Sequence, residues 1–92
     1  MMYPFLQLDD ETEIVHSEIL YGNNENLVKV YFEKPIEGGF QSATCYLPNY
    51  QWEKIEGFSE TDIERFTEIL ETTAHLILRF AGQGGFANAS NF

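Results

Sequence analysis

Ninety-two residues suffice for one domain, whose folding buries only about 60–65% of the surface exposed by the unfolded chain, leaving one core and no deep cleft between lobes. Fifteen acidic residues face five basic ones, a formal net charge of −10. Phosphate backbones are bound by Lys and Arg that displace counterions, and anionic membranes repel acidic chains, so the composition argues against direct nucleic-acid binding and against a membrane role.

Eight Phe, five Tyr and one Trp exclude the aromatic-poor composition of disordered chains. The longest apolar runs are a few residues, far below the roughly 20 needed to span a bilayer. The opening MMYPFLQLDD lacks the basic flank and long apolar region of a signal peptide. A single cysteine, Cys45, rules out an internal disulfide and fits a reducing compartment. The expectation is a cytoplasmic protein. Its charge suits a basic protein partner, because complementarity steers encounter; the plainer reading of that charge is solubility.

In chain order, residues 3–8 (YPFLQL) read as a short strand, with Pro4 placing it near an edge or at a strand start. Asp9-Asp10-Glu11 makes a turn, and residues 12–20 (TEIVHSEIL) form a second, β-branched strand. Gly22-Asn23-Asn24-Glu25-Asn26 is a turn by composition. Residues 27–34 give the cleanest strand, with Val28, Val30 and Phe32 alternating against Leu27, Lys29, Tyr31 and Glu33. Pro35 to Gly39 closes a hairpin, residues 40–47 (FQSATCYL) return as a fourth strand, and Pro48-Asn49 ends it. Residues 50–58 read as an irregular connection or a short extra strand.

A helix over about 60–81 follows. Ser59 is the N-cap, Asp62 completes a variant capping box, and Phe58 with Ile63 matches a hydrophobic staple. Acids crowd the first turns and Arg79 sits near the end, as the helix dipole favours. Gly82 is expected to supply a left-handed stop. Ile63, Phe66, Leu70, Ala74, Ile77 and Ala81 keep the spacing of a buried stripe, which Ile69, Leu76 and Phe80 widen. In the tail (82–92), Phe86 and Phe92 are candidates for docking back. The expected fold is α+β: a four-stranded, mostly antiparallel meander with one long C-terminal helix packed on one face, in a single domain.

Two surfaces stand out as partner-binding candidates. If Val28, Val30, Phe32, Ala43, Cys45 and Leu47 face the helix, the other sheet face presents Tyr31, Phe40 and Tyr46 among Lys29, Ser42 and Thr44. A wet sheet face should be polar, so three aromatics suggest cover: by the tail or first strand, by a second copy in a homodimer, or by another protein. On the helix, Glu60, Glu64, Glu68 and Glu71 fall within about 80° of one another by the 3.6-residue period. That ridge is either a solvated face or a docking surface for a basic partner.

His16, Cys45 and His75 are the soft-ligand candidates. They sit on separate elements, with no CxxC and no HExxH, so no metal site and no cofactor is expected from spacing. Cys45 at an inward strand position reads as a small hydrophobe rather than a nucleophile, and no catalytic residue is assigned. A small metal-dependent enzyme needs folding to bring these three together with Asp9 or Asp10. Gly82, Gly84 and Gly85 follow a helix rather than precede one, the wrong context for phosphate binding.

The stretches LDDETEIVHSEI (8–19) and GFSETDIERF…AHLI…GGF (57–86) resemble small uncharacterised bacterial proteins of about this length, a likeness that carries no activity. Gly38-Gly39-Phe40, Leu47-Pro48 and the helix from Ser59 give a fold-level resemblance to HicB-like antitoxins. The chain departs from that pattern at Asn49 and Tyr50, lacks the Cys-Gly element before the helix, and has no DNA-binding appendage. Non-enzymatic protein binding is the expected function. Neutralisation of a basic protein, as an antitoxin or a nucleic-acid mimic, is the alternative.

Overall fold

The computed structural model describes residues 2–21 and 26–82. Within them, β1 (Met2–Gln7), β2 (Glu13–Ser17), β3 (Leu20–Tyr21), β4 (Asn26–Ile36), β5 (Gly39–Leu47) and β6 (Gln51–Glu56) precede one helix, α1 (Glu60–Gly82). The sheet runs β1-β2-β4-β5-β6, and β3 pairs with the start of β4. Every pairing is antiparallel. The α+β architecture with one helix holds, but the described sheet has six strands rather than four.

Local chemistry explains the two additional strands. The expected second strand breaks after Ser17. There the Lys29 amide donates to Ser17 Oγ at 3.0 Å, while the Ser17 hydroxyl donates to the Glu18 carbonyl at 2.6 Å. A side chain has entered the hydrogen-bonding ladder, and Leu20–Tyr21 resumes as a separate strand. β6 arises because Tyr50 adopts φ 55° and turns the chain back along β5. Lys54, at φ 53°, then interrupts the alternation of β6.

The hairpin is also tighter than expected. Ile36 pairs with Gly39 and Pro35 with Phe40, so only Glu37 and Gly38 form the loop. Pro35 is tolerated because β2 pairs with β4 no further than Glu33 and β6 with β5 no further than Ser42. Beyond those residues the hairpin is a free two-stranded ribbon, an edge-like setting that accepts a proline.

Val28, Val30, Phe32, Ala43, Cys45 and Leu47 are all buried on one face, as their alternation requires, together with Ile14 of β2. Phe66, Leu70, Ile77 and Ala81 of α1 close this core. Phe66 stacks on Phe32 at 4.5 Å between ring centroids and meets Phe58 edge-on at 4.9 Å. The wide helix stripe is used on both flanks. Phe80 reaches Phe5 of β1, and Thr67 accepts the Trp52 indole N–H of β6 at 3.2 Å.

The helix start follows its sequence signals. The Ser59 amide donates to Asp62 Oδ2 at 3.0 Å, and the Asp62 amide donates to Ser59 Oγ at 3.1 Å. Gly57 must be glycine: its φ is 90°, and a Cβ there would lie 2.8 Å from Gln41 Cγ. Gly82 is not the left-handed stop, since the helix runs through it without a positive φ. Of the turn expected at residues 22–26, Asn26 already belongs to β4, while residues 22–25 and the expected docking of Phe86 and Phe92 lie outside the described residues. No described helix is long and apolar enough to cross a membrane. Replacing Ser59 by Ala should cost about 1 kcal/mol of stability, the usual value of an N-cap, read as a lower urea midpoint.

Candidate functional site

The antiparallel register assigns every strand residue to a face. Opposite the helix, the rows across β2, β4, β5 and β6 read Glu13–Glu33–Ser42–Glu56, then Val15–Tyr31–Thr44–Glu53. Beyond them Lys29 pairs with Tyr46, and Tyr46 with Gln51. Four carboxylates thus share this outer face with Lys29.

Tyr31 and Tyr46 are diagonal neighbours there and only half-buried. The Tyr31 hydroxyl donates to Glu33 Oε2 at 3.1 Å, and Tyr46 is hydrogen-bonded to Glu53. Burial, reinforced by these carboxylates, raises the pKa of both phenols. Thr44, between them, is 2% exposed. Phe40 is on the same side but beyond the sheet proper. It sits 63% exposed on the projecting ribbon opposite Pro35, away from the tyrosine pair.

Glu13 and Glu33 are direct cross-strand partners. Like charges directly opposite on a sheet are destabilising. Neither Glu13, Glu33, Glu53 nor Glu56 emerges as a candidate from sequence reasoning. The place of Glu13 and Glu33 two residues from Val15 and Tyr31 is the signal that could have found them; Glu56 lies beyond the irregularity at Lys54, where alternation gives none.

The helix ridge is real but separate. Glu60, Glu64, Glu68 and Glu71 are all exposed, on the side of α1 turned from the core. The sheet stands between them and the tyrosines. Arg65, beside the ridge, donates instead to Asp10 Oδ2 at 2.9 Å, and Lys34 Nζ lies 3.7 Å from the same oxygen. The Thr12 amide donates to Asp10 Oδ1 at 3.1 Å. Burial raises the Asp10 pKa, but the bonds from Arg65 and Thr12 outweigh it and hold the carboxyl well below the usual range. This clasp ties the β1–β2 turn to α1 and β4, and takes two of the chain's five cations.

The soft-ligand trio is not assembled. His16 and Cys45 face inward with Val30 between them in the pairing, about 10 Å apart at two strand spacings, and His75 is exposed on the helix. Among the described residues no group of three His, Cys, Asp or Glu is placed to hold a metal. Burial pushes the Cys45 thiol up to about 12, so it is not a thiolate at neutral pH. Comparison of the chain with family models, characterised proteins and solved structures returned no match.

Two stability predictions follow from this geometry. Replacing Glu13 by Gln relieves the like-charge pair and should raise stability by about 0.2–1 kcal/mol, the range of such cross-strand terms, measured by urea denaturation. His16 is fully buried beside Tyr3 and Phe5, its Nδ1 bonded to the Ser17 carbonyl at 2.8 Å and its Nε2 without a hydrogen-bond partner among the described residues. Burial lowers its pKa, against that backbone bond. The unfolded chain therefore takes up a proton below about pH 6.5 that the fold refuses, so stability is full above that pH and falls as pH drops toward the folded value. Thermal melts at about pH 7.5 and 5 should differ, and His16→Leu should remove most of the difference.

Proposed function

We propose that the chain is a small, non-enzymatic binding module that docks a basic protein surface on the outer face of its sheet. The observation that carries this reading is the Glu13–Glu33 pair. A self-contained domain gains nothing from two carboxylates held opposite each other, whereas cations from a partner convert that cost into attraction. Tyr31 and Tyr46 provide rigid aromatic area of the kind that dominates interface hot spots, and their hydroxyls are held by glutamates ready to accept further donors.

A second copy is a poor occupant, because it would bring its own glutamate rows against these. The ridge of Glu60, Glu64, Glu68 and Glu71 serves approach rather than anchoring in this reading, since long-range charge raises association rates wherever it lies on the molecule. A buried, unpaired Cys45 suits a reducing compartment such as the cytoplasm.

The test is an affinity capture from the source organism's lysate at low and high salt. The baits are wild type, Tyr31→Ala/Tyr46→Ala, Glu13→Lys/Glu33→Lys and Glu64→Lys/Glu68→Lys. One basic protein should be retained by wild type, lost from both face baits, and kept by the ridge bait with greater salt sensitivity. Loss from the ridge bait alone would move the interface to the helix. Recovery of only the chain itself would make the face a homodimer contact.

A further inference from the structure

The outer face continues onto β1, where the sheet is not smooth. β1 slips register against β2 between Pro4, opposite Val15, and Leu6, opposite Ile14. Phe5, the extra residue, turns its ring toward His16 and Phe80 in the interior. A hollow of about 290 Å³ lies at this bulge, lined by Pro4, Phe5, Leu6, Gln7, Glu13, Ile14 and Val15. Its walls are mainly aliphatic, and Leu6 at its lip is 43% exposed.

Two of those lining residues tie the hollow to the docking face. Val15 is the cross-strand partner of Tyr31, and Glu13 is the partner of Glu33. A largely apolar hollow therefore lies on the β1–β2 seam with Glu13 in its wall and Glu33 one strand further on. Bulges re-aim side chains at functional positions, and an interface anchor is characteristically one large side chain in a pocket with polar groups around it.

We infer that this hollow is the anchor socket of the docking face, taking one large apolar side chain from a basic protein segment whose neighbouring Lys or Arg side chains rest on Glu13 and Glu33. The inference rests on the function proposed above and specifies its occupant. Charge complementarity selects that occupant over a second copy. Phe40 and Ile36, exposed apolar side chains of the hairpin ribbon, stand beside Glu37, and the ribbon's Lys34 is engaged by Asp10, so a second copy inserting this ribbon would bring no free cation to the pair.

Two fluorescein-labelled heptapeptides test it, each with three Lys or Arg on either side of a central Trp or a central Ser. Binding to the full chain is read by fluorescence anisotropy and by amide shifts in ¹⁵N-correlated NMR spectra. The Trp peptide should bind at least about tenfold more tightly than the Ser peptide, the gain of burying one large apolar side chain, with shifts centred on Leu6, Glu13 and Val15. Val15→Phe, which fills the hollow, and Leu6→Ala, which opens it, should each shrink the Trp-to-Ser ratio. Glu13→Gln/Glu33→Gln should weaken both peptides alike.

Equal affinities for the two peptides, both weakened by the glutamate variants, would overturn the socket and leave the docking face standing. Affinities indifferent to the glutamate variants, with shifts clustered on Glu60 to Glu71, would overturn both. A sedimentation mass that grows with concentration and is reset by Val15→Phe would assign the hollow to a second copy. Shifts at Leu6, Glu13 and Val15 caused by Phe86→Ala/Phe92→Ala in the peptide-free chain would assign it to the chain's own tail. Either result would overturn the inference.

Discussion

Phe66 on the helix is gripped by three aromatic rings: Phe32 of β4 stacked beneath it, Phe58 edge-on from the residue before the N-cap, and Trp52 of β6 at 6.4 Å. Aromatic pairs of this kind are worth about 0.5–1.5 kcal/mol each beyond the area they bury, but their larger consequence is directional. Phe32 and Phe66 can stack only if the even-numbered residues of β4 face the helix. Because strand residues alternate, that stacking also consigns Lys29, Tyr31 and Glu33 to the opposite face. The antiparallel register then carries the choice outward to Glu13 and Val15 on one side and to Ser42, Thr44, Tyr46 and Glu53 on the other. One ring contact in the core thus decides which residues share the outer face of the sheet.

The distribution of charge follows the same division. Arg65 and Lys34 converge on Asp10 at the helix side of the sheet, where they hold the β1–β2 turn against α1. An exposed pair adds little stability singly, but the Asp10 carboxyl also caps the Thr12 amide. Cations committed to that clasp cannot neutralise the outer face. Glu13 and Glu33 therefore remain opposed, and the cost is local rather than spread over the surface. Sequences tend to agree with their folds at every level except where function imposes a conflict. Here the conflict sits on a sheet face with two half-buried tyrosines and beside the β1 bulge.

Much of the scaffold was legible because it rests on periodicity and short-range chemistry. Alternation in residues 27–34 marked Val28, Val30 and Phe32 as inward, and Ser59 with Asp62 marked the helix start. The features that escaped or were left open depend on contacts between segments or on unusual backbone. β6, one of two alternatives for residues 50–58, needs Tyr50 and Lys54 in left-handed conformations, for which neither side chain is a signal. The break between β2 and β3 needs the Lys29 amide to choose Ser17 Oγ over a backbone carbonyl. At the candidate site, Tyr31 and Tyr46 were visible as outward residues, but Glu13 and Glu33 become a pair only once β2 is registered against β4. Phe40 was assigned to the face correctly by alternation, yet its distance from the tyrosines depends on how far the hairpin projects.

The two acidic surfaces consequently do different physical work. A ridge on a solvated helix is a flexible array of long side chains in high dielectric, which salt screens within about a Debye length of 8–10 Å. Its influence is on encounter. Carboxylates on a sheet are held at fixed spacing by the backbone ladder, and Glu33 is further restrained by the Tyr31 hydroxyl. Restraint of this kind lowers the entropy lost when a partner's guanidinium or ammonium group is bound, which is where preorganised sites gain affinity. In the proposed reading, a basic protein can approach by either acidic surface, and the side with backbone-spaced carboxylates, two half-buried tyrosines and the hollow beside β1 is the one suited to hold it.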